Sequence, residues 1–157
     1  MKLAALLNPE LVKVDIKATL LADIIKELLE LISARTPGFD KNEVLSAVLA
    51  RETLSSTAIG NGFAIPHART DEIDDLTIAV GICERGLKLK TPDKKAVHVF
   101  ILILTPVSVP RYFLQTLSAV AKFAKIPDAL SKLLKAADSN EVIEVFFDAN
   151  IDIAPQL

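Results

Sequence analysis

The most continuous apolar run of the chain, Val97 to Leu104, constrains the fold more than any other feature. It reads Val-His-Val-Phe-Ile-Leu-Ile-Leu, with His98 as its only polar residue. A strand with one exposed face would alternate apolar and polar residues, whereas a continuous apolar run is typical of a strand covered on both faces. We therefore expect this segment to be the central strand of a sheet that packs between helices.

Two amphipathic helices are predicted before this strand. Apolar residues recur at helical intervals from Leu21 to Ile32, with Thr19 as a candidate N-cap. The segment Thr36-Pro37-Gly38 should end this first helix. Asp40 and Glu43 then have the spacing of a capping box for a second helix, which carries Arg51 on the face of its apolar residues.

Strand and helix patterns alternate along the remainder of the chain. Strand patterns cover 12–16, 76–83 and an exposed edge at 87–90, and helical patterns cover 3–7, 110–121, 127–134 and 139–147. This order favours an α/β fold, a three-layer sandwich with a mixed β-sheet flanked by helices. At 157 residues, the chain is expected to form one domain over 1–157.

Composition and charge exclude several classes of function. The formal net charge is −2, and no basic tract or interleaved aromatic residues appear, so nucleic acid is not an expected ligand. The two histidines and one cysteine lie too far apart for metal-ligand spacing, and no cofactor is indicated. Cys83, within an apolar run, is interpreted as a buried small side chain. No run is long enough for a signal peptide or a membrane span, which predicts a cytoplasmic protein without direct membrane insertion.

The candidate chemistry is concentrated between Arg51 and Arg69. This segment ends in Pro66-His67-Ala68-Arg69, where the proline restricts the backbone on either side of it and so helps to fix the histidine. Two arginines bracket the segment and are suited to binding phosphate. Hydroxyl groups and a tight turn between them could face an anion; they are supplied by Ser56, Thr57, Gly60 and Gly62.

The same segment resembles the active-site signature of type-2 IIA domains of the bacterial phosphoenolpyruvate:sugar phosphotransferase system, the fructose, mannitol and nitrogen-regulatory group. The matching positions are Arg51, Glu52, Ser56, Thr57, Gly60, Gly62, Pro66 and His67. The apolar strand and the helix after it also resemble the family, so the resemblance spans nearly the whole chain. It implies the mannitol-type IIA fold, with His67 as phosphoryl acceptor, Arg51 and Arg69 beside it, and Ser56, Thr57, Gly60 and Gly62 at the phosphate.

One position departs from the family pattern. Many relatives carry a second histidine near the phosphoryl site where this chain has Phe113. A phenyl ring cannot donate a hydrogen bond to phosphate, so Phe113 is expected to line the site without binding the phosphoryl group. His98 does not replace the missing histidine, and we interpret it as a structural residue.

The resemblance implies a phosphocarrier that accepts a phosphoryl group from an HPr-type carrier protein and passes it to a IIB component or a regulatory target. A freestanding nitrogen-regulatory type is favoured, and a sugar-permease IIA subunit stays open. A second class of function is also open: a IIA-like binding module in which phosphorylation is weak or lost. The acidic run 71–75 after His67 is a solvated loop or a surface that steers a basic carrier.

Overall fold

A mixed sheet of six strands forms the middle layer of the molecule. The computed structural model describes residues 1–108 and 112–154. The strands are β1 (Val12–Lys13), β2 (Ala58–Gly60), β3 (Phe63–Ala64), β4 (His67–Arg69), β5 (Thr77–Leu87) and β6 (Val97–Thr105). The helices are α1 (Leu21–Ser33), α2 (Lys41–Leu54), α3 (Phe113–Ala124), α4 (Ala129–Lys135) and α5 (Ser139–Ala149), and short 3-10 turns occupy Leu3–Leu6 and Pro9–Leu11.

Strand β6 lies at the centre of the sheet, as its sequence predicts. On one side it pairs with β5 in antiparallel orientation, with Val80 opposite Ile101. On the other side it pairs in parallel with β3 at its start and with β4 at its end. Strand β1 lies parallel to β5 at one edge, and β2 pairs antiparallel with β3 at the other.

Helices cover both faces of β6, which explains why its sequence lacks polar alternation. Every second side chain belongs to the core shared with α3, α4 and α5, namely Val99, Ile101 and Ile103. The intervening side chains belong to the core shared with α1 and α2, namely Phe100, Leu102 and Leu104. All six are fully buried. The predicted three-layer α/β sandwich with a mixed sheet is therefore confirmed.

Helix starts were predicted with mixed success. Asp40 caps α2 by accepting a hydrogen bond from the backbone N–H of Glu43, as expected. Helix α1 begins after Leu20 without a side-chain cap, so the assignment of Thr19 as its N-cap was wrong. The cap of α5 is Asp138, which accepts from Glu141 N at 2.9 Å, and the helix begins at Ser139, where its predicted pattern starts.

The predicted edge strand at 87–90 is absent from the described residues. Strand β5 instead continues through an irregularity to Leu87, which pairs with Val97. Gly86 allows this continuation because its φ of +78° lies in the left-handed region, where a residue with a Cβ is strained. The predicted helix start at Pro110 lies outside the described residues. No helix in the described part of the chain is long and apolar enough to cross a membrane.

Candidate phosphoryl-transfer site

His67 is the first residue of β4 and lies directly opposite Ile103 of the central strand. The backbone before it is held to the same strand, because Pro66 O accepts a hydrogen bond from Ile103 N at 2.9 Å. Ile65 and Pro66 are buried, whereas the histidine itself is half-buried. The rigid centre of the sheet therefore positions an imidazole that still reaches the surface.

The imidazole of His67 is oriented by its own backbone. Its Nδ1 lies 2.8 Å from the carbonyl oxygen of Ile65. Since a carbonyl can only accept a hydrogen bond, Nδ1 carries the proton, and Nε2 of the neutral ring keeps its lone pair. The arrangement thus prepares Nε2 to act as a nucleophile.

The pKa of His67 is lowered from its ordinary value, which favours this neutral ring. Burial is the largest cause, and the positive charge of Arg51 acts in the same direction. The hydrogen bond to Ile65 and the negative charge of Glu52 oppose the shift.

The two arginines of the segment are placed differently. Arg51, in the last turn of α2, donates from Nη1 to the carbonyl oxygen of Ser55 at 2.8 Å and so satisfies the end of its own helix. Arg69 is exposed and lies two residues after His67 in β4, so both side chains leave the same face of the sheet. A guanidinium has five N–H donors, so the bond to Ser55 uses only part of the capacity of Arg51.

Thr57 and Glu52 form a clamp that fixes the segment leading to His67. The backbone N–H of Thr57 donates to Glu52 Oε2 at 2.9 Å, and the Thr57 hydroxyl donates to Glu52 Oε1. Thr57 O in turn accepts from Ile65 N at 3.0 Å, and Ile65 O is the acceptor for His67. The hydroxyl proton of Thr57 is thus directed to Glu52, and the Ser56 hydroxyl accepts from Ala58 N at 3.2 Å.

The Gly60–Gly62 turn lies near the start of β6, whereas His67 pairs with the end of that strand. Gly62 O accepts hydrogen bonds from the N–H groups of His98 and Val99, near the start of β6. His67 pairs with Ile103, four residues further along, a separation of about 13 Å. Gly60 and Gly62 have φ of +91° and +87°, and the backbone N–H between them donates to Asp93. The glycines serve the tight turn between β2 and β3.

Phe113 does lie beside His67, at the start of α3. The two ring centroids are 5.2 Å apart and the planes are tilted by 57°. The phenyl ring is 8% exposed and belongs to the core between the sheet and α3. It therefore covers one side of the imidazole with a surface that offers no hydrogen-bond donor.

The remaining histidine and the cysteine have structural surroundings. His98 Nδ1 lies 3.1 Å from the carbonyl oxygens of both Cys83 and Glu84, so its ring joins β6 to β5. Cys83 is buried and free, as its sequence context predicted. Among residues 1–108 and 112–154, no three histidine, cysteine or acidic side chains are grouped so that they could hold a metal ion.

Sequence reasoning missed Thr105, the last residue of β6, which lies opposite Arg69. Its side chain is fully buried, and its hydroxyl has no hydrogen-bond partner within the described residues. A polar residue at the end of a continuous apolar strand is the sequence signal that could have identified Thr105. Glu52 was named only as part of the motif, and its bonds to Thr57 depend on how α2 meets β2.

Solved structures show where else this fold occurs. The nitrogen regulatory protein IIA-Ntr of Neisseria meningitidis superposes with a TM-score of 0.82 at 24% identity, covering 91% of this chain and 97% of that one. The mannitol IIA enzyme of Escherichia coli, solved in complex with phosphorylated mannitol IIB enzyme, gives 0.75 at 18% identity over 90% and 97% of the chains. The fold is that of the IIA domains of the phosphotransferase system.

Sequence comparison identifies the family. The chain belongs to the family described as phosphoenolpyruvate-dependent sugar phosphotransferase system, EIIA 2, whose profile matches residues 5–149. It is 35% identical to a nitrogen regulatory protein of Klebsiella oxytoca, over 79% of each chain. It is 27% identical over 92% of its length to the fructose-specific EIIABC component of Bacillus subtilis, of which it spans 23%.

Proposed function

We propose that this protein is a phosphocarrier of the nitrogen-regulatory type, which accepts a phosphoryl group on His67 from an HPr-type carrier and passes it on. The observation that carries the proposal is the hydrogen bond from His67 Nδ1 to Ile65 O, which leaves Nε2 as the reactive atom. The 35% identical nitrogen regulatory protein supports the regulatory type, and a 33% identical fructose-specific EIIA component of Haloferax volcanii supports the alternative of a sugar-permease subunit. The single domain over 1–157 and the cytoplasmic location stay predictions.

The reaction follows from this tautomer. The Nε2 lone pair forms a new N–P bond while the N–P bond to the histidine of the donor breaks and its electron pair returns to the donor ring. The His67 ring keeps its Nδ1 proton and gains positive charge, which the Ile65 carbonyl stabilises. Return of the phosphoryl group to an acceptor reverses these changes, so no net proton is consumed at His67.

Phosphoryl transfer depends mainly on positioning and on compensation of the charge on the equatorial oxygens. Arg51 and Arg69 are the proposed sources of this compensation, since one acts on the His67 ring electrostatically and the other leaves the same face of β4. Thr57 and Ser56 act through the backbone in this proposal, by fixing the segment that carries His67. Gly60 and Gly62 contribute the turn and no phosphate contact.

Apolar side chains near the start of α3 provide a surface for the carrier protein. Leu114 follows Phe113 and is 73% exposed, and Val107 and Tyr112 flank the loop from β6 to α3 with exposures of 51% and 43%. Exposed apolar residues beside a reactive group are typical of a surface that a partner covers. The same surface would receive the HPr-type donor and then a IIB component or a regulatory target. A IIB partner is supported by the structural similarity to the mannitol IIA enzyme of Escherichia coli, which was solved in complex with phosphorylated mannitol IIB enzyme.

The test is incubation with a phosphorylated HPr-type carrier, followed by intact mass spectrometry. The wild type should gain one acid-labile phosphate, and His67→Gln should gain none. His98→Gln is the matched control and should be phosphorylated, because His98 is bound to the carbonyls of Cys83 and Glu84 on another part of the sheet. Phosphate on the His67→Gln variant would contradict the assignment.

Phe113 favours a second candidate function, a binding module that docks on a regulatory partner without carrying phosphate. The phenyl ring occupies the position beside His67 from which a second histidine could donate a hydrogen bond. An unphosphorylated wild type, with a functional carrier shown by a known IIA protein in the same assay, would favour this candidate over the phosphocarrier.

A further inference from the structure

The hydroxyl of Thr105 is buried without a hydrogen-bond partner. Within the described ranges 1–108 and 112–154, Thr105 Oγ1 is the buried side-chain polar atom for which no partner is found. The backbone of the same residue is satisfied, since Thr105 O accepts from Thr70 N at 2.9 Å. Proteins rarely leave a buried hydroxyl unpaired, and exceptions commonly mark a functional role.

The position of Thr105 relates this hydroxyl to His67. Strand β4 runs parallel to the end of β6, with His67 opposite Ile103 and Arg69 opposite Thr105. Residues two apart in a strand share a face, so the Thr105 side chain leaves the sheet on the same face as His67 and Arg69. From a strand spacing of about 4.8 Å and a rise of about 3.3 Å per residue, the Cα atoms of His67 and Thr105 are about 8 Å apart.

A phosphoryl group on His67 Nε2 would occupy space between these side chains. It adds three oxygens beyond the ring, on the face that also carries Arg69 and Thr105. Phe113 covers another side of the ring and has no donor to offer. Thr105 is thus a hydroxyl donor without an acceptor among the described residues, on the face of the sheet from which the proposed phosphoryl acceptor extends.

We propose that Thr105 Oγ1 donates a hydrogen bond to the phosphoryl group carried by His67, which makes Thr105 a further catalytic residue. The inference rests on the proposed phosphocarrier function. The hydroxyl keeps its proton throughout: the N–P bond to the donor breaks, the bond to Nε2 forms, and Thr105 stabilises the negative charge on an equatorial oxygen during transfer. It provides part of the hydrogen bonding that Phe113 lacks.

The experiment compares Thr105→Val, which removes the hydroxyl at nearly constant shape, with Thr105→Ser, which keeps it. Phosphorylation of His67 by the HPr-type carrier should slow by about 10-fold or more in Thr105→Val, since a hydrogen bond to a charged group is lost. Thr105→Ser should retain a rate close to that of the wild type. The thermal midpoint of unphosphorylated Thr105→Val should equal or exceed that of the wild type, because an unpaired hydroxyl is removed from the interior.

Thr116→Val is the matched control. Thr116 is also fully buried, but its hydroxyl donates to Tyr112 O at 2.7 Å, so removal of this hydroxyl should lower the thermal midpoint.

A wild-type rate of phosphorylation in Thr105→Val would overturn the inference while leaving the proposed function intact. Equal slowing in Thr105→Ser, or slowing of Thr105→Val accompanied by a lower thermal midpoint, would also overturn it in favour of a structural role. A wild type that accepts no phosphate would overturn the proposed function and this inference together.

Discussion

The rings of Phe113 and His67 lie side by side, with centroids 5.2 Å apart. This contact gives the phenyl ring two effects. It contributes to the burial that lowers the pKa of His67, and it occupies a position from which a polar side chain could reach the phosphoryl group. The apolar contact therefore helps to keep the imidazole of His67 neutral, but it removes one possible hydrogen-bond donor to the phosphoryl group.

Phe113→His should speed phosphorylation of His67, because an imidazole at this position can donate a hydrogen bond to phosphate. A gain of about 10-fold is expected from one hydrogen bond to a charged group. Loss of a buried aromatic ring should lower the free energy of unfolding by about 1–3 kcal/mol. Single-turnover transfer and urea denaturation measure the two effects.

Phe113→Leu is the control for this substitution, since it reduces the ring to an aliphatic side chain without adding a donor. It should share the loss of stability but not the gain in rate. Equal rates for the histidine and leucine variants would mean that the side chain at this position does not reach the phosphoryl group.

The clamp between Glu52 and Thr57 should support both stability and transfer. Glu52→Gln removes the charge that receives two hydrogen bonds, and the expected loss in the free energy of unfolding is about 1.5–3 kcal/mol. Transfer should slow as well, because Thr57 O holds Ile65 and Ile65 O holds His67. Urea denaturation and transfer rates for Glu52→Gln and Thr57→Val test this, with Thr57→Ser as the variant that keeps the hydroxyl. A stable, fully active Thr57→Val would show that the clamp is dispensable.

The lowered pKa of His67 predicts how stability changes with pH. An unfolded chain protonates this histidine near its ordinary pKa of about 6.5, whereas the folded protein resists protonation until the pH is lower. Stability linked to His67 is therefore fully present above about pH 6.5, and it is lost as the pH falls from there to the folded pKa. The difference in unfolding free energy between the wild type and His67→Gln, measured by urea denaturation across this range, should change accordingly. An NMR titration that placed the pKa of His67 above 6.5 would contradict the prediction.

The sequence predicted the central strand and the two-sided helical cover because these features depend on long apolar periodicities. It predicted His67, Arg51 and Phe113 as neighbours through the family resemblance, and the structure brings their side chains or charges together. The distance between the Gly60–Gly62 turn and His67 could not be predicted, because adjacency in a motif does not give distance: four residues, of which Phe63 and Ala64 form β3, separate the turn from His67. The unpaired hydroxyl of Thr105 depends on strand pairing and burial, which a single sequence does not contain.

Gly62 should be needed for stability and not for phosphate binding. In Gly62→Ala the new Cβ would lie 2.7 Å from Leu130 Cδ2 and would also adopt a φ of +87°. Gly38→Ala is a matched control, because its φ is +78° and no atom lies within 4 Å of the new Cβ. The control should lose about 1–2 kcal/mol from backbone strain alone, and Gly62→Ala should lose more because Leu130 must also move. Folded Gly62→Ala should transfer phosphate at the wild-type rate, and a specific loss of transfer would return the turn to the phosphate site.

The acidic loop after β4 should steer a basic carrier to His67. Glu72 is left unchanged in the test, because it accepts a hydrogen bond from Asp40 N and so helps to hold the loop. The other three carboxylates, Asp71, Asp74 and Asp75, are exposed.

Replacing these three residues by asparagine should lower the association rate with a phosphorylated HPr-type carrier by about 10-fold at low salt. The effect should be smaller at 0.15 M ionic strength, where charges more than about 8 Å apart are screened. Stopped-flow transfer at several salt concentrations measures this association rate, and the unfolding free energy should stay within about 0.5 kcal/mol of the wild type.

A control with the same change in net charge replaces three aspartates far from the loop in sequence. They are Asp23, Asp128 and Asp148, which are exposed or half-exposed on helices or at a helix cap. An equal reduction in both triple variants would mean that net charge, and not the loop beside His67, sets the rate.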